Sequence, residues 1–221
     1  MSLEMKLLPV VLCGGQSRRM GQDKAKLVTS AGQSLLDVAV QRFQSLATSL
    51  ASRPGDLTID QIVLSLAHLS SIAVDTFPGT IAVKPLTDPA GSNGPMTGLQ
   101  TVLRYALRSG YNACLLTPID TPLLTSDALL SLVDQYVTQP GQILCGQCDN
   151  QVHSSPSLEP LIAIYPVSVS DAVDNAMAES RYGMQRLCRS LSARKHPLPA
   201  TQCFNVNTPQ DYDHFSDKHE R

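Results

Sequence analysis

The 221-residue sequence has little net charge and lacks a long apolar run. Its formal net charge of −2 at pH 7 gives no electrostatic basis for binding nucleic acid. No apolar stretch approaches the length that spans a bilayer, and the first residues lack the apolar region of a signal peptide. We therefore expect no nucleic-acid partner, no membrane association and, by default, a cytoplasmic location.

Two widespread nucleotide-binding motifs are also missing. The sequence contains neither a G-x-x-x-x-G-K-[ST] phosphate loop nor a G-x-G-x-x-G dinucleotide fingerprint, and the second absence counts against a dinucleotide-dependent oxidoreductase. One C-x-x-C is present among the six cysteines, Cys145 to Cys148, but no second ligand pair stands at zinc-site spacing. Because a reducing cytoplasm keeps thiols free, we expect most of the six cysteines to be free thiols and the Cys145/Cys148 pair to be incidental thiols.

Length and composition fit one α/β domain that buries its own core. The hydrophobic fraction is 43%, which is ordinary for a globular protein. Short apolar runs typical of buried strands alternate with segments of helical spacing, and this order predicts an open, mostly parallel, Rossmann-like sheet with helices on both faces. No change of composition marks a boundary, so we expect a single domain over residues 1–221 with its core at about 6–215.

The periodicity also predicts where the individual elements lie. Strands are expected at 7–12, 62–64, 80–83, 112–118, 143–145 and 158–165, with short extended pieces at 196–198 and 204–206. Helices are expected at 34–46, 68–77, 99–107, about 126–137, 168–191 with a break near 182, and from about 210. The many Gly and Pro residues between 84 and 98 are expected to exclude a helix before about Gly98.

A glycine-rich, basic stretch directly follows the first predicted strand. Gly14 and Gly15 allow a tight turn whose backbone N–H groups can surround an anion. Arg18, Arg19 and Lys24 add positive charge, and Arg can bind phosphate through two parallel hydrogen bonds. The pattern predicts a polyphosphate-binding loop, with a glycine turn beside a solvated basic patch as the alternative.

A carboxylate follows the most apolar predicted strand. Asp120 stands just past the run Ala113–Leu116, and ligands of open α/β sheets bind outside the carboxyl ends of the strands. One carboxylate together with phosphates and water is the ligand set that Mg²⁺ prefers. Asp120 is therefore a candidate Mg²⁺ ligand, and the alternative is a turn former or helix cap.

Taken together, these stretches resemble a known family. Residues 12–24 resemble the opening L-x-x-G-x-x-x-R-M-G-x-x-K of the nucleotidyltransferase (pyrophosphorylase-like) superfamily, and the form Leu-Cys-Gly-Gly is most similar to the molybdenum cofactor guanylyltransferases, the MobA family. Four later segments are similar to motifs of that family in the same order, namely Asp88 with 94–99, then 118–122, 159–165 and 204–209. The chain departs from the family at Met96-Thr97 and Ile119, and the usual asparagine after the second strand is absent, with Ser65 and Ala67 in that region.

The resemblance implies a reaction and a set of site residues. It implies transfer of GMP from GTP to the terminal phosphate of molybdopterin, or of its molybdenum-loaded form, with Mg²⁺ as cofactor and release of pyrophosphate. Catalytic roles are implied for Lys24, Arg19 and Asp120, with Asp120 as the metal ligand. Nucleotide contacts are implied for Leu12, Cys13, Gly14, Gly15, Lys24, Asp88 and Asp120. Acceptor contacts are implied for Gly94, Pro95, Gly98, Asn205, Asn207 and Arg181.

Substrate choice remains open at this level. Cytidylyltransferases that resemble the family carry Ala at the position of Gly14, so Gly14 favours GTP over CTP. The alternatives are a related nucleotidyltransferase that uses CTP or another phosphorylated acceptor, and a paralogue that binds nucleotide without catalysis. Proteins of molybdenum cofactor biosynthesis are expected as further partners.

Overall fold

A computed structural model describes residues 4–13, 25, 27–29, 31–67, 77–89, 94–148 and 157–218. Its strands are β1 Met5–Leu12, β2 Leu57–Thr58, β3 Gln61–Leu66, β4 Ala82–Thr87, β5 Ala113–Pro118, β6 Leu144–Cys148, β7 Ser157–Pro166 and β8 Arg194–Leu198. Its helices are α1 Leu35–Ala51, α2 Pro95–Arg108, α3 Ser126–Val137, α4 Ser170–Ala178, α5 Met184–Ser190 and α6 Pro209–Lys218. Two 3₁₀ turns lie at Val167–Val169 and Ala200–Cys203.

The strands form an eight-stranded sheet in the order β4-β3-β1-β5-β7-β6-β8, with β2 paired to the beginning of β1. All pairings are parallel except those of β7, which runs antiparallel to β5 and β6. Helices α1, α3 and α6 contribute to the core on one face, and α2, α4 and α5 contribute to the core on the other. The predicted fold class, a mostly parallel α/β sheet with helices on both faces, is confirmed.

Helix α1 shows how local sequence signals set an element. Ser34 is its N-cap, and the Asp37 backbone N–H donates to the Ser34 hydroxyl at 3.0 Å while the Ser34 backbone N–H donates to the Asp37 carboxylate at 2.9 Å. This reciprocal pair satisfies amides that the first turn of a helix leaves open. The buried stripe that includes Leu35, Ala39 and Leu46 then packs the helix against the sheet and α3.

Two boundaries differ from the sequence prediction, and both involve proline. Helix α2 begins at Pro95 rather than after Gly98, because proline is well suited to the first helical position and Gly94 adopts φ = +71° at the N-cap. Strand β4 extends through Pro85 to Thr87, a stretch that we expected to be loop. It tolerates a proline because it is the last strand at one end of the sheet.

The other expected elements are present with small shifts of their ends. The break that we expected near residue 182 separates α4 from α5, and the helix expected from about 210 begins at Pro209. The extended piece expected at 204–206 is not a strand, and the helix expected at 68–77 falls mostly outside the described residues. None of the helices among the described residues has the length and apolar character needed to cross a membrane.

The cysteine prediction was partly wrong. Cys148 and Cys203 form a disulfide with their Cα atoms 6.4 Å apart, whereas Cys13, Cys114, Cys145 and Cys188 are thiols outside any disulfide. Residues three apart on a strand point to opposite faces of the sheet, so Cys145 and Cys148 cannot act together as a chelating pair. Cys145 accordingly belongs to the core on one face, where its Sγ lies 3.4 Å from that of Cys188, and Cys148 belongs to the core on the other.

Candidate active site at the carboxyl edge of the sheet

Strands β1, β3, β4 and β5 are mutually parallel and end at the same edge of the sheet. Backbone hydrogen bonds continue past their ends and hold the following loops together. The Cys13 N–H donates to the Ser65 carbonyl at 2.9 Å, and the Ile119 N–H donates to the Leu12 carbonyl at 3.2 Å. The Asp88 N–H donates to the Leu66 carbonyl at 2.8 Å. The segments that carry the opening motif, Asp88 and Asp120 therefore leave the sheet side by side.

Only the first part of the opening motif lies within the described residues. Gly14, Gly15, Arg18, Arg19 and Lys24 fall outside them, so their predicted contacts with phosphate stay predictions. Leu12 is buried at the end of β1, and Cys13 is partly buried with its Sγ 3.6 Å from the Val11 carbonyl. These two residues place the start of the motif at the carboxyl edge.

Asp120 lies in a turn that is held from two sides. The Val206 N–H donates to the Asp120 carbonyl at 2.8 Å, and the Arg42 Nη2 donates to the Thr121 carbonyl at 2.7 Å. Within the turn the Thr121 hydroxyl donates to the Pro118 carbonyl at 3.0 Å. The Asp120 residue itself remains partly exposed. The turn is thus anchored through its backbone and leaves its acidic residue accessible at the edge of the sheet.

The bond to Val206 brings the C-terminal motif to the same place. Val206 is fully buried. Of its neighbours, Asn205 is partly exposed and Asn207 is exposed. Neither asparagine caps α6, because the Asp211 N–H donates to the Thr208 hydroxyl at 3.2 Å and the Thr208 N–H donates to the Asp211 carboxylate at 2.8 Å. The two asparagines therefore flank the anchor of the Asp120 turn, which agrees with a ligand-facing role.

Asp88 lies in a tight cluster with the beginning of α2. A Cβ added to Gly98 would lie 3.0 Å from the Ser65 Oγ, 3.5 Å from the Leu12 Cδ2 and 3.7 Å from the Asp88 Oδ2. The Asp88 Oδ1 is buried and has no hydrogen-bond partner among the described residues. Burial raises the pKa of the Asp88 carboxyl, and hydrogen bonding from Thr101 opposes this shift. An unpartnered carboxylate oxygen at this edge is an acceptor that a bound ligand can use.

The predicted acceptor residues do not all lie together. Gly94 and Pro95 begin α2 at the carboxyl edge, and Gly98 is buried one turn further along the helix. Arg181 lies between α4 and α5, where its Nε forms an exposed ion pair with the Glu179 carboxylate at 2.7 Å. None of the described hydrogen bonds or ion pairs joins Arg181 to the Asp120 turn, so its role in binding the acceptor stays a prediction.

Sequence reasoning gave no role to two buried residues at this edge. Ser65, which stands where the family's asparagine is absent, is 3% exposed and lies beside Gly98. Arg42 is 5% exposed although it is charged. The signal for Arg42 was present in the sequence, because it is three residues after Ala39 and four before Leu46, and this spacing places it on the buried stripe of α1.

The residues at this edge fit a Mg²⁺ ion held together with a nucleotide. No group of three or more His, Cys, Asp or Glu side chains that could hold a metal occurs among the described residues. Mg²⁺ does not need such a group, because it usually takes one or two carboxylates and completes its shell with substrate phosphates and water. Asp120 is partly exposed, and its neighbour Ile119 is hydrogen-bonded to Leu12 at the start of the opening motif, so its position suits that kind of site.

Comparisons with known proteins cover most of the chain. A family model described as the MobA-like NTP transferase domain matches residues 9–196. The chain is 33% identical over 206 residues to the probable molybdenum cofactor guanylyltransferase of Rhodopirellula baltica. The aligned region covers 93% of this chain and 89% of that protein.

Solved structures share the fold. Molybdopterin-guanine dinucleotide biosynthesis protein A from Archaeoglobus fulgidus matches with a TM-score of 0.69 and 19% identity, over 98% of this chain and 99% of that one. The 4-diphosphocytidyl-2C-methyl-D-erythritol synthase from Anaerococcus prevotii matches with a TM-score of 0.72 and 9% identity, over 99% of this chain and 100% of that one. At these identities the likeness concerns the fold alone.

Proposed function

The chain belongs to the MobA-like NTP transferase family, and we propose that it transfers GMP from GTP to the phosphate of molybdopterin or its molybdenum-loaded form. The terminal phosphate oxygen of the acceptor attacks the α-phosphorus of GTP, and the bond from that phosphorus to the β-phosphate oxygen breaks. The products are a guanine dinucleotide form of the cofactor and pyrophosphate. The acceptor phosphate is already ionised near neutral pH, so the step does not require a protein base.

One observation supports this proposal most directly. The hydrogen bond from the Val206 N–H to the Asp120 carbonyl joins the Pro118–Pro122 and Phe204–Pro209 motifs at the edge where β1 delivers the opening motif. Segments that are distant in sequence thereby meet at one edge of the sheet, where we place the substrate cleft, as a reaction between two substrates requires. Transfer of a nucleotidyl group depends mainly on such positioning and on stabilising the charge that develops on the phosphates.

Each part of the site then has a proposed role. Asp120 holds Mg²⁺, and Mg²⁺ when bound neutralises phosphate charge. Gly14, Gly15, Arg19 and Lys24 bind the triphosphate, with Lys24 on its outer phosphates. Leu12, Cys13 and Asp88 line the nucleotide side of the cleft. The acceptor side is formed by Gly94, Pro95, Gly98, Asn205, Asn207 and Arg181.

The experiment is an assay of the purified protein with Mg²⁺, GTP and molybdopterin. We expect pyrophosphate release that depends on all three, together with a product whose mass equals molybdopterin plus GMP. Asp120→Ala should retain the fold, because a carboxylate in a partly exposed turn contributes little packing. It should lower turnover by about two orders of magnitude or more, because metal-assisted charge stabilisation is lost.

The alternatives give different results in the same assay. A protein that binds GTP without catalysis releases no pyrophosphate. A cytidylyltransferase releases pyrophosphate faster from CTP than from GTP. Turnover of Asp120→Ala close to that of the wild type would show that Asp120 does not hold the catalytic metal.

A further inference from the structure

Arg42 is a buried cation with few partners. Its Nη2 donates to the Thr121 carbonyl at 2.7 Å, and this bond spans 79 residues of sequence. Its Nε and Nη1 are buried and have no hydrogen-bond partner among the described residues. None of the ion pairs among the described residues involves Arg42. Guanidinium groups in protein interiors are usually paired, so this arrangement calls for an explanation.

Stability does not explain why an arginine occupies this position. A buried charge without full hydrogen bonding is unfavourable, and apolar residues of similar volume often stabilise the fold when they replace buried ionic groups. Burial lowers the pKa of Arg42 to about 10, so the side chain still carries its charge at neutral pH. Arg42 therefore holds an unfavourable charge inside the fold, next to the candidate active site.

The one bond that Arg42 makes acts on the turn that carries Asp120. Arg42 fixes the carbonyl of Thr121, and Val206 fixes the carbonyl of Asp120 itself. Two neighbouring peptide groups are thus held by α1 and by the C-terminal segment. Thr121 lies between these two peptide groups, and the first of them begins at Asp120. Holding both groups fixes the backbone that directly follows Asp120 and so restricts the directions that the Asp120 side chain can take.

We propose that Arg42 is a positioning residue for nucleotidyl transfer, which holds the Thr121 carbonyl and thereby aims the Asp120 carboxylate at the metal–nucleotide position. The inference rests on the proposed role of Asp120. It concerns a residue of α1 outside the motifs that define the cleft. It predicts that stability and function respond to substitution in opposite directions.

The test compares Arg42→Met and Arg42→Lys with the wild type. Methionine keeps most of the volume but removes the charge and the donor, whereas lysine keeps both. We expect the melting temperature of Arg42→Met to equal or exceed that of the wild type, because an incompletely paired buried charge is removed. We expect its turnover at saturating GTP to fall by about tenfold to a hundredfold, because small displacements of catalytic groups are costly. Arg42→Lys should recover part of the turnover.

A second measurement does not depend on turnover. The binding of Mn²⁺, as a spectroscopic substitute for Mg²⁺, is measured in the presence of GTP by the loss of the signal of free Mn²⁺. Arg42→Met should weaken Mn²⁺ binding about tenfold, as substitutions of residues that orient a metal ligand commonly do. Arg53→Met is the matched control. Arg53 lies just beyond the C-terminal end of α1 and pairs with Asp134 on the surface. This variant should leave Mn²⁺ binding and turnover unchanged.

The outcomes separate the possible roles. If Arg42→Met loses melting temperature and activity together, Arg42 is structural and the proposal is overturned. If Arg42→Met binds Mn²⁺ and turns over like the wild type, the proposal is also overturned. If the wild type binds Mn²⁺ with GTP but transfers nothing, the proposed function fails, and the Mn²⁺ comparison alone still decides the role of Arg42.

Discussion

At the scale of single residues, the buried Asp88 carboxylate lowers stability while one of its oxygens stays available as a hydrogen-bond acceptor. Its Oδ1 is buried without a partner among the described residues, and its carboxyl pKa is raised chiefly by burial. A raised pKa means that the folded state disfavours the ionised form relative to the unfolded state. This destabilisation is fully present above the folded pKa and disappears below the unfolded value.

We predict that Asp88→Asn increases stability at neutral pH and weakens nucleotide binding. Asparagine keeps the shape of the side chain but removes the buried charge. The gain in melting temperature should be largest at pH 7 to 8 and should shrink as the pH falls through the raised pKa towards the ordinary pKa of an aspartate side chain. Thermal unfolding of both proteins across this range measures it. A gain that is independent of pH would show that charge burial is not the cause.

Gly98 is the other residue on which the cluster around Asp88 depends. Alanine should stabilise a helix interior relative to glycine by about 1 kcal/mol. Here, however, its Cβ would lie 3.0 Å from the Oγ of Ser65, which is almost fully buried. The helix gain and the close contact therefore oppose each other.

We predict that Gly98→Ala changes the free energy of unfolding by less than about 1 kcal/mol in the wild type, because the two effects nearly cancel. In a Ser65→Ala background the contact is removed, and the same substitution should stabilise by about 0.5–1 kcal/mol. Urea unfolding of the four proteins gives the coupling between the two sites. If Gly98→Ala changes the free energy of unfolding equally with Ser65 and with Ala at position 65, the proposed contact between the added Cβ and the Ser65 Oγ is contradicted.

At the scale of elements, the sequence predicted those whose signals are local. The capping serine and buried stripe of α1 and the fully apolar run of β5 set these elements directly. The early start of α2 and the inclusion of Pro85 in β4 were missed because proline was treated only as a breaker. Proline is tolerated in the first turn of a helix and in an edge strand of a sheet. Which strand lies at the edge is determined only by the assembled fold.

The site shows the same division between local and long-range information. The position of Asp120 just after the carboxyl end of β5 could be predicted because it depends on a single strand, and its role as a metal ligand stays a prediction. The anchoring of its turn by Arg42 and Val206 depends on contacts between distant segments, which no local pattern reveals. The pairing of Cys148 with Cys203 was missed for the same reason, since the two residues are separated by 55 positions.

This disulfide joins the end of β6 to the 3₁₀ turn that precedes Val206. In protein purified without reductant and then denatured, we predict that a thiol reagent titrates four of the six cysteines. Reduction should destabilise the fold by about 2–4 kcal/mol, as expected for closing a loop of this size. The variant Cys148→Ala/Cys203→Ala should not respond to reductant. Titration of all six thiols in the denatured wild type would contradict the pairing.

At the scale of the whole molecule, the fold does not determine which base is bound. The fold of a 4-diphosphocytidyl-2C-methyl-D-erythritol synthase matches the chain as well as that of a molybdopterin-guanine dinucleotide biosynthesis protein A does, with TM-scores of 0.72 and 0.69. At 9% and 19% identity, these likenesses concern the fold alone. Base selection must therefore come from the few residues that line the nucleotide pocket.

We predict that GTP is preferred over CTP and ATP by at least about tenfold, and this follows from Gly14 in the opening motif. Glycine removes a Cβ from the expected base pocket and leaves backbone N–H and C=O groups accessible at close range. A purine needs that room, and the edge of guanine can pair with such groups. A base that leaves them unpaired loses about 1–3 kcal/mol for each group.

Calorimetric titration of GTP, CTP and ATP in the presence of Mg²⁺ measures this preference. Gly14→Ala should reduce the difference in affinity between GTP and the other two nucleotides. Lys24→Ala provides the control for the phosphates, because it should weaken GTP binding by about 1.5–3 kcal/mol, the size of a charge-assisted hydrogen bond. GMP lacks the outer phosphates and should be affected less by this substitution. CTP binding as tight as that of GTP would exclude the guanylyltransferase assignment and favour cytidylyl transfer, because the base pocket would then not select a purine.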